Sequence, residues 1–372
     1  MIVECIQEDQ AFAALRPHWS PLLRASASDN PFLTWEWLHT WWRHFGTRKS
    51  LRLLVVRDGD MVVAIAPFHL ASATLYWFSR LEFLGTGEAG SDYLDIIAQR
   101  GYESAALDAI ARFLETQNIA VRMPHLRPAS VAARLARGLE EDGWAASLVD
   151  DGQCPVVSLA GHTFESFLAT LGASHRANVR RRLRALERLG ARFTRVTADD
   201  ERQRMLEALA AFHADRYAHR GGSTAFSTPA VRAFHEEVTR LAHECGWLRM
   251  YALHVGDAPV AVMYGFSYAE RFYFYQHGHD AAHAPQSVGL ALMALTIRAA
   301  IEEGAVEFDM LWGTEPYKAL WAREARVLQR VDLFPLRLSG AVHRHAVEAR
   351  RGVSQFARRV LSLGSPGAVR GT

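Results

Sequence analysis

Apolar positions in this chain change their period several times, and each change marks an element. In TWEWLHTWWRHFG (34–46) large side chains recur at helical spacing, between an Asn30-Pro31 entry and a Gly46 exit that punctuate a helix. LRLLVVRDGDMVVAIAPFHL (51–70) sets two apolar runs around Asp58-Gly59, the pattern of a β-hairpin. LYWFSRLEFLG (75–85) predicts a further strand region, and the loop GTGEAGSDYLDII follows it. ESAALDAIARFLETQ (103–117) has amphipathic helical spacing, and AVRMPHLRP (120–128) reads as a strand ended by proline.

The same order returns downstream. Residues 205–220 and 229–245 are helical in pattern, and LRMYALHVGDAPVAVMYGFSY (248–268) is a hairpin around Gly256-Asp257. RFYFYQHGHD (271–280) predicts an aromatic strand, then a Pro/Gln/Gly loop at 285–289, a helix over 290–304 closed by Gly304, and strands at 305–311 and 326–334. Hairpin, strand, loop, helix, strand thus occurs twice, which predicts a duplicated α/β unit with a mixed sheet in each half.

Between the halves, residues 164–193 put Val179, Leu183 and Leu186 on one helical face. Arg176, Arg180, Arg184 and Arg188 run along another at four-residue spacing. That row reads as a solvated face, a groove for a polyanion such as tRNA, or a contact for an acidic acyl carrier protein. The tail after Gly340 is basic and loosely amphipathic. Residues 61–79 lack Asp, Glu, Lys and Arg, but Pro67, His69, Ser72, Thr74 and Ser79 interrupt them, so two strands are expected rather than a transmembrane segment.

Composition narrows the class. The 372 residues are 49% hydrophobic and 22% charged with net charge +2, a globular balance too near neutral for a wholly nucleic-acid-coating protein. Cys5, Cys154 and Cys245 are scattered and form no CxxC, which argues against a disulfide framework or structural zinc. With an acidic N-terminal segment, a cytoplasmic location is expected. His277, His279, Asp280 and His283 lack a metallohydrolase spacing, so no metal is expected.

The segment HAPQSVGLALMALTIRAAIEEG (283–304) leads a polar loop with Gly289 into a helix, whose unpaired N–H groups and dipole favour phosphate. An ordinary strand-to-helix turn is the competing reading. Gln286, Gly289 and Ala291 fit the Q/R-x-x-G-x-G/A motif of the GNAT acyltransferases, and the surrounding order of elements resembles that fold. With WEWLHTWWRHFG, LEFLGTGEAGSDYLDII, HRANVRRRLRALERLG and FDMLWGTEPYKALWA, the chain is similar over about residues 10–335 to the CelD/BcsL-type members. Those are two-lobed relatives of the FemAB peptidyltransferases, often associated with exopolysaccharide or cellulose production.

The resemblance implies tandem GNAT-like lobes of mixed α/β class. We expect an N-terminal lobe over 1–155, a linker with the Arg-rich helix over 156–195, a C-terminal lobe over 196–338 and a basic tail over 339–372. It implies acetyl-CoA or another acyl-CoA as co-substrate, held by Gln286, Ser287, Val288, Gly289, Leu290 and Ala291. By the same resemblance Tyr317 is the general acid towards the leaving thiolate. Lys318, one of only two lysines beside Lys49, is a compact cation for an oxyanion or phosphate. Asp309 stands near both, and His213 is the expected base. Asp92, Tyr93, Arg216, Tyr275 and Glu315 are expected around a small-molecule or saccharide acceptor. No Cys or Ser lies in an activated-nucleophile pattern, so direct transfer to an amine or hydroxyl is expected. A FemAB-like use of aminoacyl-tRNA and a non-catalytic role in a polysaccharide-synthesis assembly are the alternatives.

Overall fold

A computed structural model describes residues 1–71, 79–217, 226 and 228–335, with residues 216 and 217 described in backbone only. The expected strand region 75–85 falls partly outside these residues, and the basic tail falls wholly outside them. The first half comprises β1 (Ile2–Ile6), α1 (Asp9–Ala14), α2 (Arg16–Ala25), α3 (Trp35–Phe45), the hairpin β2 (Ser50–Asp58) and β3 (Met61–Ala71), then β4 (Arg80–Phe83) and β5 (Ile97–Ala98). It continues through α4 (Glu103–Gln117), β6 (Ala120–Leu126), α5 (Val131–Glu141) and β7 (Ala145–Ser158). The second half comprises α6 (Phe164–Thr170), α7 (Ala173–Arg188), β8 (Arg192–Arg195), α8 (Asp199–Tyr217) and α9 (Pro229–Glu244). It ends with β9 (Leu248–Val255), β10 (Ala258–Tyr268), β11 (Arg271–His279), α10 (Val288–Glu302), β12 (Glu307–Asp309) and β13 (Glu324–Phe334).

The duplication is visible in the pairing. In the first half β3 is antiparallel to β4, which is parallel to β6 across the α4 crossover; in the second β10 is antiparallel to β11, which is parallel to β12 across α10. The halves do not keep a sheet each, as the sequence reading expected. One continuous sheet runs β1-β2-β3-β4-β6-β13-β7-β12-β11-β10-β9-β8. The last strand of each half has been exchanged: β13 covers the open edge of β6, and β7 covers that of β12. Every open edge is a row of unpaired backbone groups, so each half supplies what the other lacks.

Helices cover both faces of the second half. α6, α7 and α10 build one core with Phe272, Phe274 and Phe308, while α8, α9 and α3 cover the opposite face around Tyr264, Phe266 and Tyr273. α10 is apolar nearly all round because it is buried nearly all round. It ends as the sequence predicts, with Gly304 at φ 82 and Ala305 N–H donating to Ala300 O, a Schellman closure. The aromatic α3 joins the halves: Trp37 is fully buried with its ring 5.1 Å from Phe234 and 5.3 Å from Tyr275.

Candidate active site at the junction of the two halves

β11 and β12 pair over only three positions, Arg271–Glu307, Phe272–Phe308 and Tyr273–Asp309, and then part. Parallel strands that diverge at their carboxyl ends leave a crevice, the usual ligand position in such sheets. β11 also carries a bulge. Tyr264 faces Gln276 and Gly265 faces Phe274, which leaves Tyr275 as the extra residue. An added residue reverses which side chains reach which face. Phe272 and Phe274 lie on the α10 side before the bulge, and His277 and His279 lie there after it. His277 meets the Tyr317 ring at 5.6 Å, and His279 packs against Gly289.

The Gln286–Ala291 loop sits at the mouth of this crevice. A 3-10 turn, Ala281–Gln286, leads into Ser287, whose φ of 57° reverses the chain, and α10 starts without a side-chain cap. Its first-turn N–H groups therefore stay available. A Cβ on Gly289 would lie 3.2 Å from His279 Nδ1, so the missing side chain admits the imidazole beside the helix end. Arg182 of α7 donates to Pro285 O at 3.0 Å and lines a groove of about 910 Å³ with Arg181, His175 and Arg323. An uncapped helix end beside arginines is a donor set that fits the phosphates of an acyl-CoA.

Loop 85–96 of the first half folds into the junction. Trp37 Nε1 donates to Ser91 Oγ at 2.8 Å, and Ser91 Oγ donates to Gly85 O at 2.7 Å, which fixes the loop. Asp95 is structural: it accepts from Val131 N, Ala132 N, Ile96 N and Ser28 Oγ, anchoring the start of α5. Asp92 is buried and accepts from Trp312 N at 2.9 Å. Loss of water, opposed by that hydrogen bond and reinforced by Asp309, pushes its pKa up to about 7. Beside it His125 holds Nδ1 3.9 Å from Asp92 and 3.7 Å from Asp151, at a left-handed φ of 55°. Burial lowers the pKa of this histidine, so it is neutral near pH 7. Its Nδ1 is buried without a hydrogen-bond partner, and Asp151 accepts instead from the His125 backbone N–H at 2.9 Å.

Several expected residues turn out to be internal props. Asp309 is fully buried; its oxygens take Leu311 N at 2.9 Å, Tyr93 Oη at 2.7 Å and Arg326 Nη1 at 2.9 Å. Burial raises its pKa to about 6. Tyr93, at φ 57°, is thus tied across the halves. Lys318 is 4% exposed and spends its three donors on Leu311 O, Trp312 O and Glu315, at 3.2, 2.7 and 3.1 Å. Its ammonium knots the 311–318 loop, and Glu315 is drawn into the same knot. Tyr275 hydrogen-bonds the carbonyl of Ala89.

His213 stands apart. It lies on α8 against Gly278 and Phe226, on the face of β11 opposite His277 and His279, so it is not gathered with Tyr317. Arg216 lies in α8 with its side chain outside the described residues. In the arginine row Arg180 pairs with Glu165, Arg176 donates to Ala169 O, and Arg184 and Arg188 donate to the helix backbone. The groove is lined instead by Arg181 and Arg182, on a different face of α7. His125, Asp151, Trp312 and Arg326 were missed as site residues; the left-handed backbone that places His125 has no signature in AVRMPHLRP. Among the described residues no three His, Cys, Asp or Glu side chains gather to hold a metal, and no helix is long and apolar enough to cross a membrane.

Residues 173–319 match the acetyltransferase (GNAT) domain family, and no curated protein matches the chain by sequence. Among solved structures the chain is similar to FemX, with a TM-score of 0.61 and 10% identity over 89% of this chain and 97% of that one. A conserved protein of unknown function from Bacteroides thetaiotaomicron gives 0.59 and 14%, over 89% and 100%. The C-terminal domain of a putative lysylphosphatidylglycerol synthetase from Agrobacterium fabrum gives 0.55 and 10%, over 87% and 92%. The fused halves, the parted parallel strands under α10 and these likenesses show a GNAT-like fold shared with FemX, with the residues that match the GNAT domain family lying in the second half.

Proposed function

We propose that the protein transfers an acyl group, acetyl foremost, from an acyl-CoA held under the N-terminus of α10 to an amine or hydroxyl of a small-molecule or saccharide acceptor in the junction between the halves. The observation that carries this reading is the parting of β11 and β12 beneath an uncapped helix end, with Tyr317 and His277 at the opening. The bound donor would supply the reactive thioester. Gln286 to Ala291 and Arg182 would hold its phosphates. His125, held beside Asp92 and Asp151, would take the acceptor's proton, a role we give it in place of His213. Tyr317 would give a proton to the departing sulfur. A link to exopolysaccharide or cell-envelope synthesis, as in CelD/BcsL-type proteins, fits this chemistry.

Calorimetric titration with acetyl-CoA and a longer acyl-CoA tests the reading. Micromolar binding that Gly289→Glu abolishes supports it, because the new carboxylate would stand at the phosphates and against His279. Undiminished binding in the variant removes the donor site from α10.

The arginine-lined groove beside Pro285 and the FemX likeness favour aminoacyl-tRNA as a second donor class. Its mark would be RNA binding that weakens steeply with salt and is lost when Arg181 and Arg182 become Glu.

A further inference from the structure

A second cavity, of about 240 Å³, is walled in part by Tyr93 where both halves meet. Arg100 and Arg127 reach it from the first half and Arg271 from β11, and Arg326 comes from the exchanged strand β13; Asp29 is the one acidic residue lining it. Glu307 and Asp309 already occupy Arg326, and Glu307 stands 3.5 Å from Arg271. Arg100 and Arg127 make no salt bridge among the described residues, though Arg100, like Arg271, lies near enough to favour the charged form of Asp29. Arg127 lies only over the Tyr93 ring, its guanidinium carbon 5.8 Å from the centroid. Asp29 is taken up in part by Tyr268, whose hydroxyl donates to it at 2.8 Å.

We propose that this cavity is a binding site for a phosphate-bearing small molecule, separate from the donor loop and bridging the two halves. A carboxylate is satisfied by one guanidinium fork, whereas two forks without salt bridges offer more donors than its two oxygens use. A phosphate, with three or four oxygens, matches them. The volume admits a phosphate and a few further atoms. Because Arg326 and Tyr93 both bond Asp309, an anion held here is joined to the floor of the cleft through a single carboxylate. It would also draw together Arg100 and Arg127 of one half and Arg271 and Arg326 of the other.

The test is calorimetric titration of the full chain with inorganic phosphate in a low-chloride buffer, with acetate as a second probe. Phosphate is expected to bind here more tightly than acetate. Replacing both of these arginines (R100Q/R127Q) should weaken phosphate by about tenfold or more, and Gly289→Glu should leave it unchanged. Asp29→Asn, which removes the one like charge, should tighten it. Absence of binding to wild type, equal affinity in R100Q/R127Q, loss only in Gly289→Glu, or preference for acetate would each overturn the assignment. The ligand-free melting temperature of R100Q/R127Q checks its fold; if it falls, the tightening in Asp29→Asn still decides the matter.

Discussion

Lys318 and Asp92 show what single side chains contribute to this site. A lysine in a chain with forty arginines suggested a compact ammonium with a task, and the ammonium has one, inside the fold: two carbonyls and Glu315 surround it. Lys318→Met would keep the buried stem and strand both carbonyls. We expect a loss of about 2–4 kcal/mol in stability, read by urea unfolding; an unchanged midpoint would refute the knot. Asp92 has the opposite character. Its carboxyl is raised from the ordinary 3.8 to about 7, so the folded state favours the protonated form. Stability from this group is therefore full below about pH 4 and is lost as pH rises towards 7. Asp92→Asn should melt higher than wild type at pH 8 and nearly level with it at pH 4. A gap independent of pH would mean that Asp92 is not held in that state. Asp309, raised to about 6 mainly by burial, adds loss of the same sign.

At the scale of elements, the bulge in β11 decides which histidines meet the donor loop. Nothing in the alternation of RFYFYQHGH announces it. His277 and His279 share one face of the strand, and nothing in the sequence says that this face is the one Phe274 shares. Gly265 makes the bulge possible, because a Cβ there would lie 2.1 Å from Tyr273 O, a backbone atom that cannot step aside. Gly265→Ala should part β10 from β11, lower the melting temperature and weaken acyl-CoA binding together. A variant that binds the donor normally would show that the bulge does not set the site. Tyr317→Phe separates chemistry from packing: the ring stays on His277 while the proton is gone. Turnover should drop with donor affinity near wild type.

For the whole molecule, the exchange of β7 and β13 makes each half depend on the other. A fragment of residues 1–158 would keep β6 with an uncovered edge, and β7 would lose both neighbours. We expect this fragment alone to give no cooperative thermal transition by circular dichroism, and to recover one when co-expressed with the remainder. A sharp transition in isolation would show that the halves are independent.

Local pattern determined much of this protein. The hairpins around Asp58-Gly59 and Gly256-Asp257, the helix over 103–117, the aromatic helix of 34–46 and the loop-to-helix start after Gln286 all follow from periodicity and turn chemistry. These signals act within a few residues, so the chain alone carries them, and the repeat of their order carried the family resemblance. Only tertiary structure decided the rest. Strand exchange depends on edges that exist once sheets have formed. The pairing of His125 with Asp92, of Tyr93 with Asp309 and of Arg326 with both Glu307 and Asp309 joins residues 17 to 216 positions apart. Burial then raises or lowers their pKa values by amounts no spacing encodes. The same residue types that sequence placed in catalytic roles, Lys318 and Asp309 among them, became props once water was excluded around them.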